Sequence, residues 1–338
     1  MKRIVICADG TWQSPESEQA THLMRLAQGI APRGKNNSKQ VVFYDWGVGS
    51  EGDAMKGGIT GAGIDKNIMD CYRFIVHNYD AGDALYFFGF SRGAYTVRSL
   101  AGFIRNCGIL TRAEAARIPE AYELYRQRSP GSGPKADRAT RFRADHAVAD
   151  ISEIEFVGVW DTVGALGIPT PFLGTLSSGR YLFHDTEPSR IIRHARHAVA
   201  IDENREDFLP TLWSLKPEID LQQVWFAGVH TDIGGGYADH GLGDHAGQWM
   251  VQEAMRFGLA FEPHFLASMR PDHRAPQHNE YKGIYKILGR SATRTVEPVL
   301  HKSVKARLED RRVKYSSPAL RQLLDTFDND WGRITLVE

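Results

Sequence analysis

Short apolar runs that end at a turn or a charged residue recur along the first 230 residues of the chain. Each run gathers β-branched or aromatic side chains in one block, a pattern typical of a strand that is buried on both faces. The predicted strands cover residues 3–8, 40–47, 83–90, 153–161 and 222–230.

Longer stretches between these runs predict helices. Over residues 63–79, apolar side chains recur three or four positions apart, which places them on one helical face. The other predicted helices cover residues 93–108, 113–127, 189–200 and 245–259. The Pro- and Gly-rich segment 128–141 predicts a loop or an exposed insertion.

Strands that alternate with helices predict an α/β fold, with a mostly parallel central sheet flanked by helices and with helical and loop insertions. We expect one catalytic domain over residues 1–262, with an insertion around 109–150. Residues 263–338 have a less regular pattern, and we expect them to form a C-terminal extension that packs on the same domain.

Composition and charge narrow the classes of protein. The 338 residues are 42% hydrophobic and 24% charged, which is usual for a soluble protein. Lys and Arg total 41, as do Asp and Glu, so the net charge of zero favours neither nucleic acid nor an anionic membrane surface. Cys7, Cys71 and Cys107 form no CxxC pair and no disulfide framework, and we expect buried free thiols in a reducing compartment.

The apolar segments also bear on cellular location. The run before Asp9 is too short for a secretory signal peptide, and no uncharged apolar run approaches the ~20 residues of a transmembrane helix. We therefore expect a cytoplasmic protein without a transmembrane span. Export without a cleaved signal and peripheral membrane contact stay open.

The segment "GFSRG" is the main chemical candidate. Gly89 and Gly93 flank Ser91 between a predicted strand and a predicted helix. This spacing is typical of the nucleophile elbow of an α/β-hydrolase-like fold, a tight turn that exposes the serine hydroxyl and directs the positive end of the next helix towards it. Ser91 is therefore a candidate nucleophile. The alternative is a structural turn whose serine caps the helix.

A serine nucleophile needs a base and an orienting acid, and in α/β hydrolases both follow the serine at strand ends. Asp161 and His230 end the fourth and fifth predicted strands. The order Ser91, Asp161, His230 thus predicts a catalytic triad. Alternatively, Asp161 is only a turn or cap residue. His301 is the best competing base, although no clear strand leads into it.

An oxyanion hole needs backbone N–H groups beside the nucleophile. Arg92, which follows Ser91, is the first expected donor. The turn after the first strand is the expected source of the second, through Gly10 or Thr11, unless residues 9–10 form a plain Asp-Gly turn. Further candidates for substrate contact or support of the site are Asp9, Trp12 and Asp232.

Two glycine-rich segments suggest other hypotheses. Residues 57–67 precede a helix but lack the Gly-Lys-Ser/Thr ending of a phosphate loop, so we expect no nucleotide. Residues 230–245 gather Asp and His side chains without HExxH or Cys-rich spacing. We expect no metal and no cofactor, and a metal-dependent hydrolase is the alternative.

A group of arginines suggests an anionic head-group site, because guanidinium groups match phosphate oxygens. The alternative is a solvated helix face on which the arginines pair with nearby acidic side chains. These arginines are Arg180, Arg190, Arg193, Arg196 and Arg205.

With these residues in place, the chain resembles an α/β-hydrolase domain family of unknown function that includes type VI secretion phospholipase effectors of the first lipase class. The matching motifs, in family order, are "ADGTW", "YDWGVGS", "GAGI", "GFSRGAYTVRSLAG", "GVWDTVGALG", "RHAVAIDENREDFLPTLW", "AGVHTDIGGGY" and "LHKSVKARL". The resemblance implies that the family's catalytic serine, acid and histidine fall on Ser91, Asp161 and His230. It also implies carboxylic ester hydrolysis, with phospholipids as substrates of some members.

The sequence therefore predicts a serine hydrolase that cleaves carboxylic esters, with lipid or phospholipid acyl esters as the favoured substrates. A small soluble ester is the alternative substrate. A non-catalytic binding module on a hydrolase fold is the alternative class. The sequence identifies no immunity or secretion partner.

Overall fold

The structure, a computed structural model, describes residues 1–10, 19–47, 61–127, 131–163, 187–283, 286–287 and 290–338. Three of the residues singled out above, Thr11, Trp12 and Arg180, lie outside this set. Of the glycine-rich segment 57–67, residues 61–67 are described, and they begin a long helix.

The strands within these residues are β1 Arg3–Ala8, β2 Gln40–Asp45, β3 Ala84–Phe90, β4 Ile154–Trp160, β5 Ile192–Ala200, β6 Asp220–Phe226, β7 Val299–His301 and β8 Thr335–Val337. These eight described strands form one sheet in the order β2-β1-β3-β4-β5-β6-β7-β8, and every neighbouring pair is parallel. The predicted α/β fold with a mostly parallel sheet is therefore confirmed.

Helices cover both faces of the sheet, as parallel strands require. The described α-helices are α1 His22–Gly29, α2 Gly61–Asn78, α3 Arg92–Cys107, α4 Ile118–Arg126, α5 Asp137–His146, α6 His230–Gly234, α7 Asp244–Arg256, α8 Pro263–Ser268, α9 Lys302–Glu309 and α10 Pro318–Thr326. One apolar cluster contains buried residues of α2, α3, α4 and α5, and a second contains those of α1, α6, α7 and α8.

Strand β1 shows how the sheet divides the core. Ile4 and Ile6 join the cluster on one face, whereas Val5 and Cys7 join the cluster on the other. All β1 residues are buried. The unbroken apolar run in the sequence follows, because successive side chains of a strand point to opposite faces and both faces are covered. The three cysteines are free and buried, as expected.

The predicted helix over residues 189–200 is wrong, because Ile192–Ala200 forms strand β5 between β4 and β6. Ala and Arg favour a helix locally, but strand pairing and burial override that preference. The almost fully buried Arg196 donates to Glu253 Oε2 at 2.6 Å and to Asp220 Oδ2 at 2.8 Å. These ion pairs let a strand rich in Arg and His lie inside the sheet.

The other described arginines of the supposed head-group site, Arg190, Arg193 and Arg205, also have carboxylate partners, and Arg180 lies outside the described residues. Arg190 lies 3.3 Å from Glu218, and Arg205 lies 2.8 Å from Glu203. Arg193 pairs with Glu153 and Glu155. The four described arginines share no helix face, since Arg193 and Arg196 lie on β5, but the acidic pairing expected in that alternative is present.

Other element boundaries differ from the predictions. The strand predicted over 222–230 stops at Phe226, and His230 begins the short helix α6. The polar segment 128–141, predicted as a loop, includes the start of α5. The helix predicted over 113–127 begins as a 3₁₀ turn over residues 112–117 and continues as α4.

Residues beyond 263 extend the sheet through β7 and β8. Strand β7 leads directly into His301, a strand that the sequence did not reveal. The buried His301 ring stacks on Phe226 at 4.8 Å between ring centroids, and its Nδ1 lies 2.7 Å from Ser303 Oγ. The partners of the competing base thus belong to β6 and α9.

Candidate active site

The turn from β3 to α3 holds Ser91 in a strained conformation. Its φ of 57° and ψ of −119° lie in a region that residues other than glycine rarely adopt. The flanking glycines have no space for a side chain. A Cβ on Gly89 would lie 2.5 Å from Ala94 Cα, and a Cβ on Gly93 would lie 1.9 Å from Ala8 O. The close packing of helix on strand therefore explains the Gly-x-Ser-x-Gly spacing.

Two hydrogen bonds join Ser91, His230 and Asp161 in one line. His230 Nε2 lies 2.9 Å from Ser91 Oγ, and His230 Nδ1 lies 2.6 Å from Asp161 Oδ2. Asp161 follows β4 directly and is fully buried. The structure thus brings together the three residues that chain order singled out, since the carboxyl ends of β3, β4 and β6 meet at one edge of the sheet.

Arg294 is the principal partner of Asp161 besides His230. Its Nη1 donates to Asp161 Oδ1 at 2.6 Å, and its Nη2 donates to Asp161 Oδ2 at 3.0 Å. The N–H of Ala200 also donates to Oδ1, at 2.9 Å. Burial alone would raise the pKa of Asp161, but the charges of Arg294 and His230 outweigh it and hold this pKa well below its usual range. Asp161 is consequently ionised beside the imidazole.

The histidine is held by its backbone and its neighbours. The N–H of His230 donates to Glu203 Oε2 at 3.2 Å, and Glu203 in turn pairs with Arg205. The rings of Phe90 and Phe208 lie 4.7 and 5.1 Å from the imidazole centroid. These contacts fix the ring plane, which the line of hydrogen bonds to serine and aspartate requires.

Asp232 supports helix α6 rather than contacting Ser91. Its Oδ2 accepts a hydrogen bond from the N–H of Val229 at 3.0 Å, and its Oδ1 lies 2.7 Å from His278 Nδ1. The pKa of Asp232 is raised overall, because burial raises it more than these hydrogen bonds lower it. Asp232 therefore stabilises the first turn of α6, where His230 lies.

The turn after β1 lies against the elbow. A Cβ on Gly10 would lie 3.4 Å from Ser91 Cβ, so the two backbones are close neighbours. The Gly10 N–H, however, donates to Asp9 Oδ1 at 2.7 Å. The other oxygen of Asp9 accepts hydrogen bonds from Thr21 Oγ1 at 2.5 Å and from the hydroxyl of Tyr44 at 2.7 Å. Asp9 thus anchors the turn, and Arg92 follows Ser91 as the first residue of α3.

Sequence reasoning missed Arg294, Glu203 and Phe208. Arg294 lies 133 positions from Asp161 and forms part of no local motif, so only the folded chain brings the two together. Glu203 and Phe208 belong to the segment "RHAVAIDENREDFLPTLW", which contributed to the family resemblance without indicating any role for either residue.

The structure also bears on the hypotheses of a metal site and of a helix that spans a membrane. Across the described parts of the chain, no three His, Cys, Asp or Glu side chains cluster as a metal site requires. Within 230–245, Asp244 pairs instead with His240 at 2.8 Å and with Arg25 at 2.6 Å. No helix among the residues that the structure describes has the length and apolarity to cross a bilayer.

Comparison with known proteins identifies the family of the chain. Residues 2–253 match the model of the catalytic domain of the type VI secretion system (T6SS) Tle1-like phospholipase effectors, and the chain belongs to this family. The matched residues include Ser91, Asp161 and His230, whereas Arg294 lies beyond them. The predicted family is therefore confirmed.

Several individual proteins are also similar. The uncharacterized protein YEL023C of Saccharomyces cerevisiae is 28% identical over 239 residues, which are 64% of this chain and 33% of the yeast protein. A crystal structure of an uncharacterized protein from Pseudomonas aeruginosa aligns with a TM-score of 0.44 at 15% identity, over 81% of this chain and 49% of that chain.

A structure of the Tle1 effector bound to the VgrG spike of the type VI secretion system aligns with a TM-score of 0.42 at 20% identity, over 71% of this chain and 52% of that chain. The chain thus spans about half the length of these solved proteins and a third of the yeast relative.

Proposed function

We propose that the protein is a serine hydrolase that cleaves the acyl esters of phospholipids or related lipids. The observation that carries this proposal is the unbroken line of hydrogen bonds from Ser91 Oγ through His230 to the buried carboxylate of Asp161. Membership of a phospholipase effector family supports a lipase or phospholipase type of hydrolase.

In the proposed mechanism, His230 Nε2 removes the proton of Ser91 as the hydroxyl oxygen attacks the ester carbonyl. Asp161 holds the proton on Nδ1 and stabilises the imidazolium that forms. His230 then gives its proton to the leaving alcohol, and water hydrolyses the acyl-enzyme with the same base. The strained turn at Ser91 supports this role, because it keeps the hydroxyl at the edge of the sheet.

The tetrahedral intermediate needs N–H donors for its oxyanion. We assign the first to Arg92, at the positive end of α3. Because the Gly10 N–H already donates to Asp9, we assign the second to Thr11. In this proposal Asp9 is a positioning residue that holds Gly10 close to Ser91, and Thr11 itself lies outside the described residues.

The decisive experiment compares the full chain with its Ser91→Ala variant on phospholipids, neutral diacylglycerols and short soluble esters. We expect Ser91→Ala to abolish hydrolysis and fluorophosphonate labelling without changing the circular dichroism spectrum. The matched control is Ser99→Ala, which replaces a buried serine of the adjoining helix α3 and should retain both hydrolysis and labelling.

The outcomes separate the alternatives. Hydrolysis of phospholipid by the wild type but not by Ser91→Ala supports the proposal. Hydrolysis of short soluble esters but of no lipid supports the small-ester alternative. Hydrolysis by Ser91→Ala, or no labelling of the wild type, would reject the serine mechanism. Loss of activity with a chelator would favour the metal-dependent alternative instead.

A further inference from the structure

A cavity lies beside Arg294, which is one of its lining residues. It has a volume of about 740 Å³ and is lined by the segments 201–204, 274–279, 291–294 and 312–319 together with Val229 and Arg307. Ser91, Asp161 and His230 do not line it. Its size falls in the range of sites that hold a small organic ligand.

The charge of this cavity is strongly positive. Five cationic side chains line it, against the two acidic residues Asp202 and Glu203. The cationic residues are Arg274, Arg294, Arg307, Arg312 and Lys314. Glu203 is neutralised by Arg205, whereas Asp202 accepts hydrogen bonds only from neutral groups of the described chain, the Gly228 N–H and the Tyr315 hydroxyl. Asp202 is thus the one acidic group of the described cavity lining that has no cation of its own in contact.

Three of the five cations pair with two carboxylates. Arg274 and Arg312 both donate to Asp310, and Arg294 donates to Asp161. Arg307 and Lys314 differ, because no carboxylate oxygen of a described residue lies within 4.0 Å of either. Two positive charges of the cavity are thus without an ion-pair partner in the described chain.

Arg307 is the unusual member, since it is only 4% exposed. Its Nη1 donates to the carbonyls of His273 and Ala275, and its guanidinium group lies 5.2 Å from the ring centroid of Tyr315. Its Nε is buried and has no hydrogen-bond acceptor among the described residues. A buried guanidinium group that contacts no carboxylate is costly, and an anion in the adjoining cavity would reduce that cost.

We propose that this cavity is a phosphate-binding site in which the guanidinium group of Arg307 and the ammonium group of Lys314 bind the phosphate oxygens. The forked N–H groups of arginine suit tetrahedral oxyanions, and lysine adds a second positive charge. The hydroxyl side chains of Ser291, Thr293 and Ser316 also line the cavity and suit a polar body attached to the phosphate. Such a group is either inorganic phosphate or the glycerophosphate of a lipid headgroup.

Isothermal titration calorimetry of the full chain at low salt tests the site with inorganic phosphate, glycerol 3-phosphate and neutral glycerol as separate probes. We expect both phosphate probes to bind and glycerol not to bind. Arg307→Gln and Lys314→Gln should each weaken phosphate binding by about tenfold or more. Arg321→Gln removes an exposed arginine of α10 outside the cavity, and it should bind like the wild type.

The probes also identify the source of the phosphate. Tighter binding of glycerol 3-phosphate than of inorganic phosphate would mark a headgroup site, and equal binding would mark a free-phosphate site. No binding of either probe, or equal affinity in the wild type and both cavity variants, would overturn the proposal. If Arg307→Gln does not fold, the exposed Lys314 still provides the test. Binding requires no turnover, so this result is independent of the ester-hydrolysis assay.

Discussion

Two buried aspartates flank Ser91, and their pKa values are shifted in opposite directions. Asp9 follows β1 and Asp161 follows β4, the two strands on either side of β3. Both carboxyl groups are almost completely buried. The pKa of Asp9 is raised to about 6, because burial raises it more than the hydrogen bonds from Thr21, Tyr44 and the Gly10 N–H lower it. Arg294 and His230 instead hold the pKa of Asp161 well below its usual range.

Position at the end of a strand therefore does not decide whether the pKa of a buried carboxylate rises or falls. Neutral donors surround Asp9, whereas a buried guanidinium group makes two hydrogen bonds to Asp161. A buried carboxylate stays ionised mainly where a cation is buried with it. Asp161 is therefore suited to orienting an imidazole, and Asp9 to anchoring a turn.

Replacing Asp161 should have the largest effect. In Asp161→Asn, the amide would donate to His230 Nδ1, so Nε2 would carry the proton and could not act as the base. We expect kcat to fall by about 10⁴-fold, because the wrong imidazole tautomer is favoured. Ester hydrolysis and fluorophosphonate labelling rates measure the effect. Asp145→Asn, at an exposed position, is the control, and a loss below tenfold in Asp161→Asn would contradict the assigned role.

Removing Arg294 should make Asp161 more like Asp9. Because the pKa of Asp161 is lowered in the folded state, its carboxylate contributes stability above the unfolded-state pKa of about 3.9. This contribution is lost as pH falls through the folded-state pKa. Without Arg294, burial dominates and the folded-state pKa rises. We expect Arg294→Gln to lose about 3–5 kcal/mol of unfolding free energy and to shift the acid limb of the pH–rate profile to higher pH.

Two further variants test this second prediction. Arg294→Lys keeps the charge with a single donor group and should restore part of the acid limb. Arg193→Gln breaks an exposed ion pair on β5 and should change stability by less than about 1 kcal/mol. An unchanged acid limb in Arg294→Gln would show that Asp161 does not depend on this cation.

Asp9→Asn should have the smallest effect on rate, at most about tenfold, because the side-chain oxygen can still accept from the Gly10 N–H. Its effect on stability should depend on pH. The raised pKa of Asp9, about 6, means that its stabilising contribution is full below about 3.8 and is lost as pH rises through about 6.

Asp9→Asn should therefore weaken the decline in stability between pH 4 and 7, a difference of about 3 kcal/mol for a pKa displaced by about two units. Denaturant unfolding at several pH values measures this slope, with Asp145→Asn as the control. Parallel stability curves for Asp9→Asn and the wild type would show that Asp9 is ionised without cost.

The comparison also shows where sequence reasoning succeeds and where it fails. The strand β3 and the helix α3 were predictable because apolar blocks and the Gly-x-Ser-x-Gly spacing record local geometry. Strand β5 was not predictable, because Arg196 tolerates burial only through Glu253 and Asp220 on neighbouring elements. The charge state of Asp161 was hidden for the same reason.

Local patterns in the chain predict most of the described strands, the tight turn at Ser91 and the order of serine, aspartate and histidine. These features depend on neighbouring residues, whose burial and backbone freedom leave a pattern in the chain. The contact of His230 with Ser91, the pairing of Arg294 with Asp161 and the burial of Arg307 beside its cavity arise only when the chain folds. Those features depend on charges and hydrogen bonds between distant residues, which no local pattern records.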